Sequence, residues 1–146
     1  MKARDLMTEH AQVVVPSDAL SHAAALMRDS DVGFIPVADD RESRRLVGVI
    51  TDRDIAIRHV ANAHGDDCRV DQHMTANDLV TVTPDADVSA VHELMREHQV
   101  RRVPVIDSEG RILGVIAQAD VAIKEDRDRD TGQLVEDISQ PTRLPH

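Results

Sequence analysis

Aromatic residues are almost missing from this chain: one Phe, no Trp and no Tyr in 146 residues. Single-stranded nucleic acid is held by stacking its bases on aromatic side chains, and one ring cannot build such a platform. Positive charge is also short. Lys and Arg number 17 against 27 Asp and Glu, a formal net charge of −10. That balance repels a phosphate backbone, so nucleic acid is excluded as the main partner. Cysteine occurs once, at Cys68, which rules out a disulfide within the chain. No apolar run approaches the roughly 18 residues of a membrane span. The longest, such as Leu46 to Ile50, are strand-sized. The opening ten residues lack the apolar stretch of a secretory signal. The expectation is a cytoplasmic protein whose core is built from Val, Ile, Leu, Ala and Met.

What the chain does have is an internal repeat. Pro16 and Pro84 lie 68 residues apart, and at that offset Leu26, Met27 and Arg28 meet Leu94, Met95 and Arg96. Val32, Pro36, Val37 and Asp39 meet Val100, Pro104, Val105 and Asp107. The offset then falls to 66: Gly48, Val49 and Ile50 meet Gly114, Val115 and Ile116, and Asp54 meets Asp120. The slip falls in the polar stretch Asp39 to Arg45, where a loop absorbs it. Ahead of the prolines, Leu6-Met7-Thr8 loosely matches His73-Met74-Thr75.

Each unit predicts the same elements. A β-branched run comes first, Val13 to Val15 or Val80 to Val82. Leu20, Ala23, Ala24 and Met27 recur at helical spacing, as do Val88, Val91 and Met95. A Pro-containing strand follows, Ile35-Pro36-Val37 or Val103-Pro104-Val105-Ile106, with an open side where proline cannot donate. A third strand, Leu46 to Ile50 or Ile112 to Ile116, leads to a helix starting near Asp52 or Ala119. The predicted order is β-α-β-β-α, twice, in an α/β fold. The expected divisions are 1–62 for the first repeat, 63–70 for a linker, 71–123 for the second repeat, and 124–146 for a charged linker with a short C-terminal helix. A unit of this size is marginal alone, so the two repeats are expected to pack their sheets together, share a core and leave clefts between them as ligand sites.

With these motifs the chain resembles the tandem CBS-domain family, whose paired repeats form a Bateman module. The resemblance runs from about Lys2 to Ile123. It rests on the turn Gly48-Val49-Ile50-Thr51-Asp52-Arg53-Asp54 and its partial copy Gly114-Val115-Ile116-Ala117-Gln118-Ala119-Asp120. The hydrophobic-Pro-hydrophobic strands and the Met-Thr openings match as well. Stand-alone bacterial members, the actinobacterial hypoxic-response proteins among them, look similar across the whole chain, notably at residues 97–104. The resemblance implies a binding module for adenine nucleotides or adenosyl compounds. It also implies roles: the turn Asp for ribose hydroxyls, the Thr for ribose or phosphate, and basic residues before the strand proline for phosphate.

The chemistry of the residues agrees. An ionised carboxylate accepts only, which suits paired sugar hydroxyls. A strand-to-helix turn offers N–H groups and a positive dipole end to phosphate, and arginine offers a bidentate fork. The expected site residues are Thr51, Asp54, Arg101, Arg102 and Asp120. Thr51 and Asp54 are expected to share one complete cleft with Arg101 and Arg102. The opposite cleft, with Asp120, Ala117, Gly33 and Phe34, is expected to be weak or differently used. Each residue has a plainer reading beside it: Thr51, Asp54 and Asp120 as helix caps, and Arg101 and Arg102 as solvated charges.

Catalysis finds no support, since no nucleophile–His–acid spacing and no phosphate loop can be argued. His59, His64, Cys68 and His73 fit no standard zinc spacing, so no metal site and no required cofactor are expected. The resulting expectation is a non-catalytic regulatory sensor. It binds AMP, ADP, ATP or S-adenosylmethionine, pairs as a homodimer, and signals to a protein partner in trans. The rival is a ligand-independent stress-response interaction protein with vestigial clefts.

Overall fold

A computed structural model describes residues 1–65 and 67–123. The chain opens with a helical turn, α1 (Ala3–Leu6), and a two-residue strand, β1 (Thr8–Glu9). Helix α2 (Leu20–Ser30) leads into a hairpin of β2 (Phe34–Ala38) and β3 (Leu46–Thr51). The turn α3 (Asp52–Asp54) continues as a wider π-type helix over Ile55–Val60. A 3-10 turn (Val70–Gln72) precedes α4 (Val88–His98) and a second hairpin, β4 (Arg102–Ile106) and β5 (Ile112–Ala117). Residues 118–123 are helical. The predicted C-terminal linker and helix lie outside the described residues.

The repeat is reproduced down to its pairing register. Phe34 faces Thr51 and Pro36 faces Val49 in the first hairpin; Arg102 faces Ala117 and Pro104 faces Val115 in the second. Both ladders carry an irregularity one step before their ends, between Val37 and Ala38 and between Val105 and Ile106. The helical stripes turn inward as their spacing requires: Leu20, Ala23 and Met27 are buried in α2, and Val88, Val91 and Met95 in α4. Both helices end on a left-handed residue, Asp31 and Gln99, again 68 apart. The predicted first strands shrink to single parallel bridges, Val14 with Val37 and Val82 with Val105. Pro36 and Pro104 still accept there through their carbonyls, from the Val14 and Val82 amides.

The expected single shared core is replaced by two buried clusters. Each is closed by the segment that leads into the other repeat. Ala3, Leu6 and Met7 pack into the cluster of Val91, Met95, Val103 and Ile116. Val70, Cys68 and Met74 pack into the cluster of Leu20, Ala23, Ile35 and Ile50. Strand β1 pairs antiparallel with β5, Thr8 facing Val115, and Thr75 makes the matching bridge to Val49 on β3. The segments cross because the Met-Thr openings precede each repeat and lie against the third strand. Gly114 and Gly48 allow that approach. A Cβ on Gly114 would stand 2.6 Å from the Thr8 carbonyl, and one on Gly48 2.9 Å from the Thr75 carbonyl. The halves also join through their hairpin turns, where Leu46 donates to the Gly110 carbonyl and Ile112 to that of Arg44.

Candidate functional site

The crossing of β1 onto the second hairpin opens a cleft of about 490 Å³ between the halves. Thr8 and Gln12 line one side, Phe34 and Pro36 from β2 a second, and Arg102, Ala117 and Asp120 the third. The walls are mostly apolar, with Asp120, Arg102 and His10 as their ionisable groups, the composition of a small-molecule site. Phe34, the chain's one aromatic ring, contributes a flat apolar wall.

The sequence-predicted residues divide between two turns. Thr51 and Asp54 are consumed by each other. The Asp54 amide donates to Thr51 Oγ1 at 3.0 Å, and the Thr51 amide donates to Asp54 Oδ2 at 3.1 Å. This is a reciprocal capping box. The second Asp54 oxygen faces Arg58 Nε at 3.7 Å. In the matching turn Ala117 has no hydroxyl to return the contact. Its amide reaches Asp120 Oδ2 at a long 3.4 Å, and the carboxylate borders the cleft.

The two basic residues differ in placement. Arg102 lines the cleft of Asp120 and Ala117. Arg102 is the cross-strand partner of Ala117 and stands beside the turn of its own repeat, whereas Phe34, at the matching position opposite Thr51, reaches the cleft of Asp120 in the other repeat. Arg101 is exposed and does not line that cleft; its carbonyl accepts from the Gln118 amide at 2.7 Å. Sequence reasoning placed Phe34 in the cleft of Asp120 but gave it no stacking role. It missed Thr8 and Gln12, because their place follows from the crossing of the N-terminal segment.

A second constellation gathers the residues set aside as scattered. His59 lies on the π-type helix, Cys68 before the 3-10 turn and His73 directly after it. With His64 they bring one donor atom each to within 4.8 Å of one another. His64 Nδ1 lies 3.2 Å from His73 Nε2. The His59 ring meets the His73 ring edge-on at 5.2 Å. His59 Nδ1 is buried with no hydrogen-bond partner. Burial holds the His73 imidazole below the ordinary histidine value; His64, His59 and Arg58 push the same way and Asp54 opposes them. No helix among the described residues is long and apolar enough to cross a membrane.

Comparison with known proteins gives this geometry a family. The CBS domain model matches twice, over residues 3–59 and 70–124. Hypoxic response protein 1 of Mycobacterium tuberculosis is 37% identical over 120 residues, 82% of each chain. A crystal structure of hypoxic response protein I with two coordinated zinc ions superposes with a TM-score of 0.73 at 35% identity, covering 84% of this chain and 97% of that one. The structure of CBSX2 in complex with AMP superposes with a TM-score of 0.74 at 26% identity, covering 88% and 98%. Paired CBS domains are regulatory ligand-binding modules. With two copies of the domain in tandem, each completed by the other's leading segment, this chain belongs to the CBS-domain family.

Proposed function

We infer that the protein is a non-catalytic regulatory module that binds an adenosine-containing ligand in the cleft of Asp120, Arg102 and Phe34. One observation carries this reading: a carboxylate, a guanidinium and an aromatic wall border the same 490 Å³ space. Asp120 accepts from the ribose hydroxyls, Arg102 faces the phosphate, and Phe34 covers the base, with adenine polar atoms met by backbone groups of the cleft. The AMP held by CBSX2 supports this ligand class. The cleft of Thr51 and Asp54 is the poorer of the two, because its polar atoms already satisfy one another.

A homodimer belongs to the same reading. Ile57 and Ile123 hold matching repeat positions on the closing helices and are 48% and 52% exposed, with Val60 beside them at 66%. Burying these faces joins two modules and gives a regulated partner a surface that ligand binding can alter. The test is thermal unfolding with AMP, ADP, ATP, S-adenosylmethionine and NAD, joined to light scattering. A ligand at 100 times its Kd adds about 2.7 kcal/mol. Silence across the whole panel would favour the ligand-independent interaction protein. A scattering mass that stayed at 16.1 kDa would remove the dimer.

A further inference from the structure

The repeat supplies a matching position for His73 and for Cys68, and in both cases that match is apolar. His73 precedes Met74-Thr75 as Leu6 precedes Met7-Thr8, and both segments bridge the same point of a third strand. Leu6 packs against its core as expected for an apolar residue. His73 instead is the one buried polar side chain among the described residues, 3% exposed. The carbonyl of Cys68 accepts from the Leu20 amide as that of Met1 accepts from the Val88 amide, so Cys68 is the mate of Met1. The segment that closes the first core therefore carries His and Cys where the segment that closes the second carries Leu and Met. A buried imidazole in a leucine position costs stability unless something binds it.

We propose that His59, His64, Cys68 and His73 are the four ligands of one transition-metal ion, with zinc(II) the best match to a three-nitrogen, one-thiolate donor set. Bond lengths of about 2.0–2.3 Å at tetrahedral angles require ligand atoms roughly 3.3–3.8 Å apart. The His64–His73 nitrogens are already at 3.2 Å, and the widest separation is within 4.8 Å. Closing the site needs side-chain shifts of about 1 Å from that starting point. The orphaned His59 Nδ1 gains a partner. The Cys68 thiol loses its proton to solvent and binds as thiolate, and the His64–His73 contact is exchanged for two metal bonds. The ion would tie the π-type helix that follows Asp54 to the connection between the repeats.

The inference is independent of the nucleotide reading. Tag-free protein, stripped with chelator and kept reduced, is titrated with zinc chloride against a chromophoric competitor, and in parallel with cobalt(II) chloride. The expected result is one equivalent bound with submicromolar affinity. With cobalt, intense tetrahedral ligand-field bands and a thiolate charge-transfer band should appear. Cys68→Ser should abolish the charge-transfer band and weaken zinc by more than about 100-fold, the upper end of what loss of a mere supporting contact costs. His73→Leu, which installs the residue of the matching position, should keep the fold by circular dichroism and lose the metal. Zinc should raise the unfolding temperature of the parent and leave both variants unmoved. Failure of the parent to bind a stoichiometric ion would overturn the proposal. So would parent-like binding by Cys68→Ser and His73→Leu, which would assign the metal to other histidines.

Discussion

The two strand-to-helix turns place Asp54 and Asp120 at matching positions and differ at the residue before the helix, Thr51 against Ala117. In the first repeat the Thr51 hydroxyl and the Asp54 carboxylate close on each other. In the second, Ala117 leaves Asp120 with one long backbone contact at the edge of a cleft. A hydroxyl that completes a helix cap also withdraws the carboxylate from solvent and ligand. Its loss weakens the helix start and frees an acceptor. On the proposed reading, the repeat with the fuller motif is the better structural element, and the repeat with the degraded motif is the better binding element.

The largest effects should test the equivalence of the halves. Ile50 and Ile116 are fully buried at matching positions of the two third strands. Ile50→Ala and Ile116→Ala should each cost about 2–5 kcal/mol in denaturant unfolding. Costs that differ by more than their common range would show that the two clusters are not energetic equals. Next come the glycines at the crossings. Gly114→Ala puts a Cβ 2.6 Å from the Thr8 carbonyl, whereas Gly48→Ala puts one 2.9 Å from the Thr75 carbonyl, a lesser clash. Overpacking of this kind costs about 1–3 kcal/mol, and Gly114→Ala should lie above Gly48→Ala in calorimetric melting.

The turns themselves should separate binding from stability. Asp120→Ala should weaken AMP by about 1–3 kcal/mol, about five- to 150-fold in Kd by titration calorimetry. Arg102→Ala should weaken AMP more than adenosine, since only AMP carries the phosphate. Asp54→Ala should leave affinity alone and cost about 0.5–2 kcal/mol of stability, as loss of a cap does. The reverse pattern would return the ligand to the cleft of Thr51. The smallest effect sharpens the contrast most. Ala117→Thr should restore the reciprocal cap, raise stability by about 1 kcal/mol and weaken AMP a few-fold. A stabilised variant with unchanged affinity would break the link between the closed cap and the closed site.

Much of this was readable from residue spacing. The Leu20-Ala23-Met27 and Val88-Val91-Met95 stripes, the Pro strands and the two-residue slip all follow from periodicity and turn chemistry, which are local. The cleft assignment was not local. That Thr8, Gln12 and Phe34 meet Asp120 and Arg102 depends on where the N-terminal segment crosses to the second hairpin. The metal-like cluster hid for a related reason. Its spacing is produced by a π-type turn, a loop and a 3-10 turn, none of which has the regular period that makes helices and strands visible.

The crossed leading segments have one more consequence. Cutting the chain in the connection between the repeats would give two fragments, each holding the other's closing piece. The first fragment would carry Ala3, Leu6 and Met7, which belong in the second core; the second would carry Val70 and Met74, which belong in the first. Neither fragment would be a domain, yet a mixture of both would contain every contact of the intact protein except one peptide bond. The repeats are thus coupled as complementing halves of one folding unit, and the leading segment serves at once as a wall of the cleft, through Thr8, and as a cover of the distant core, through Ala3, Leu6 and Met7.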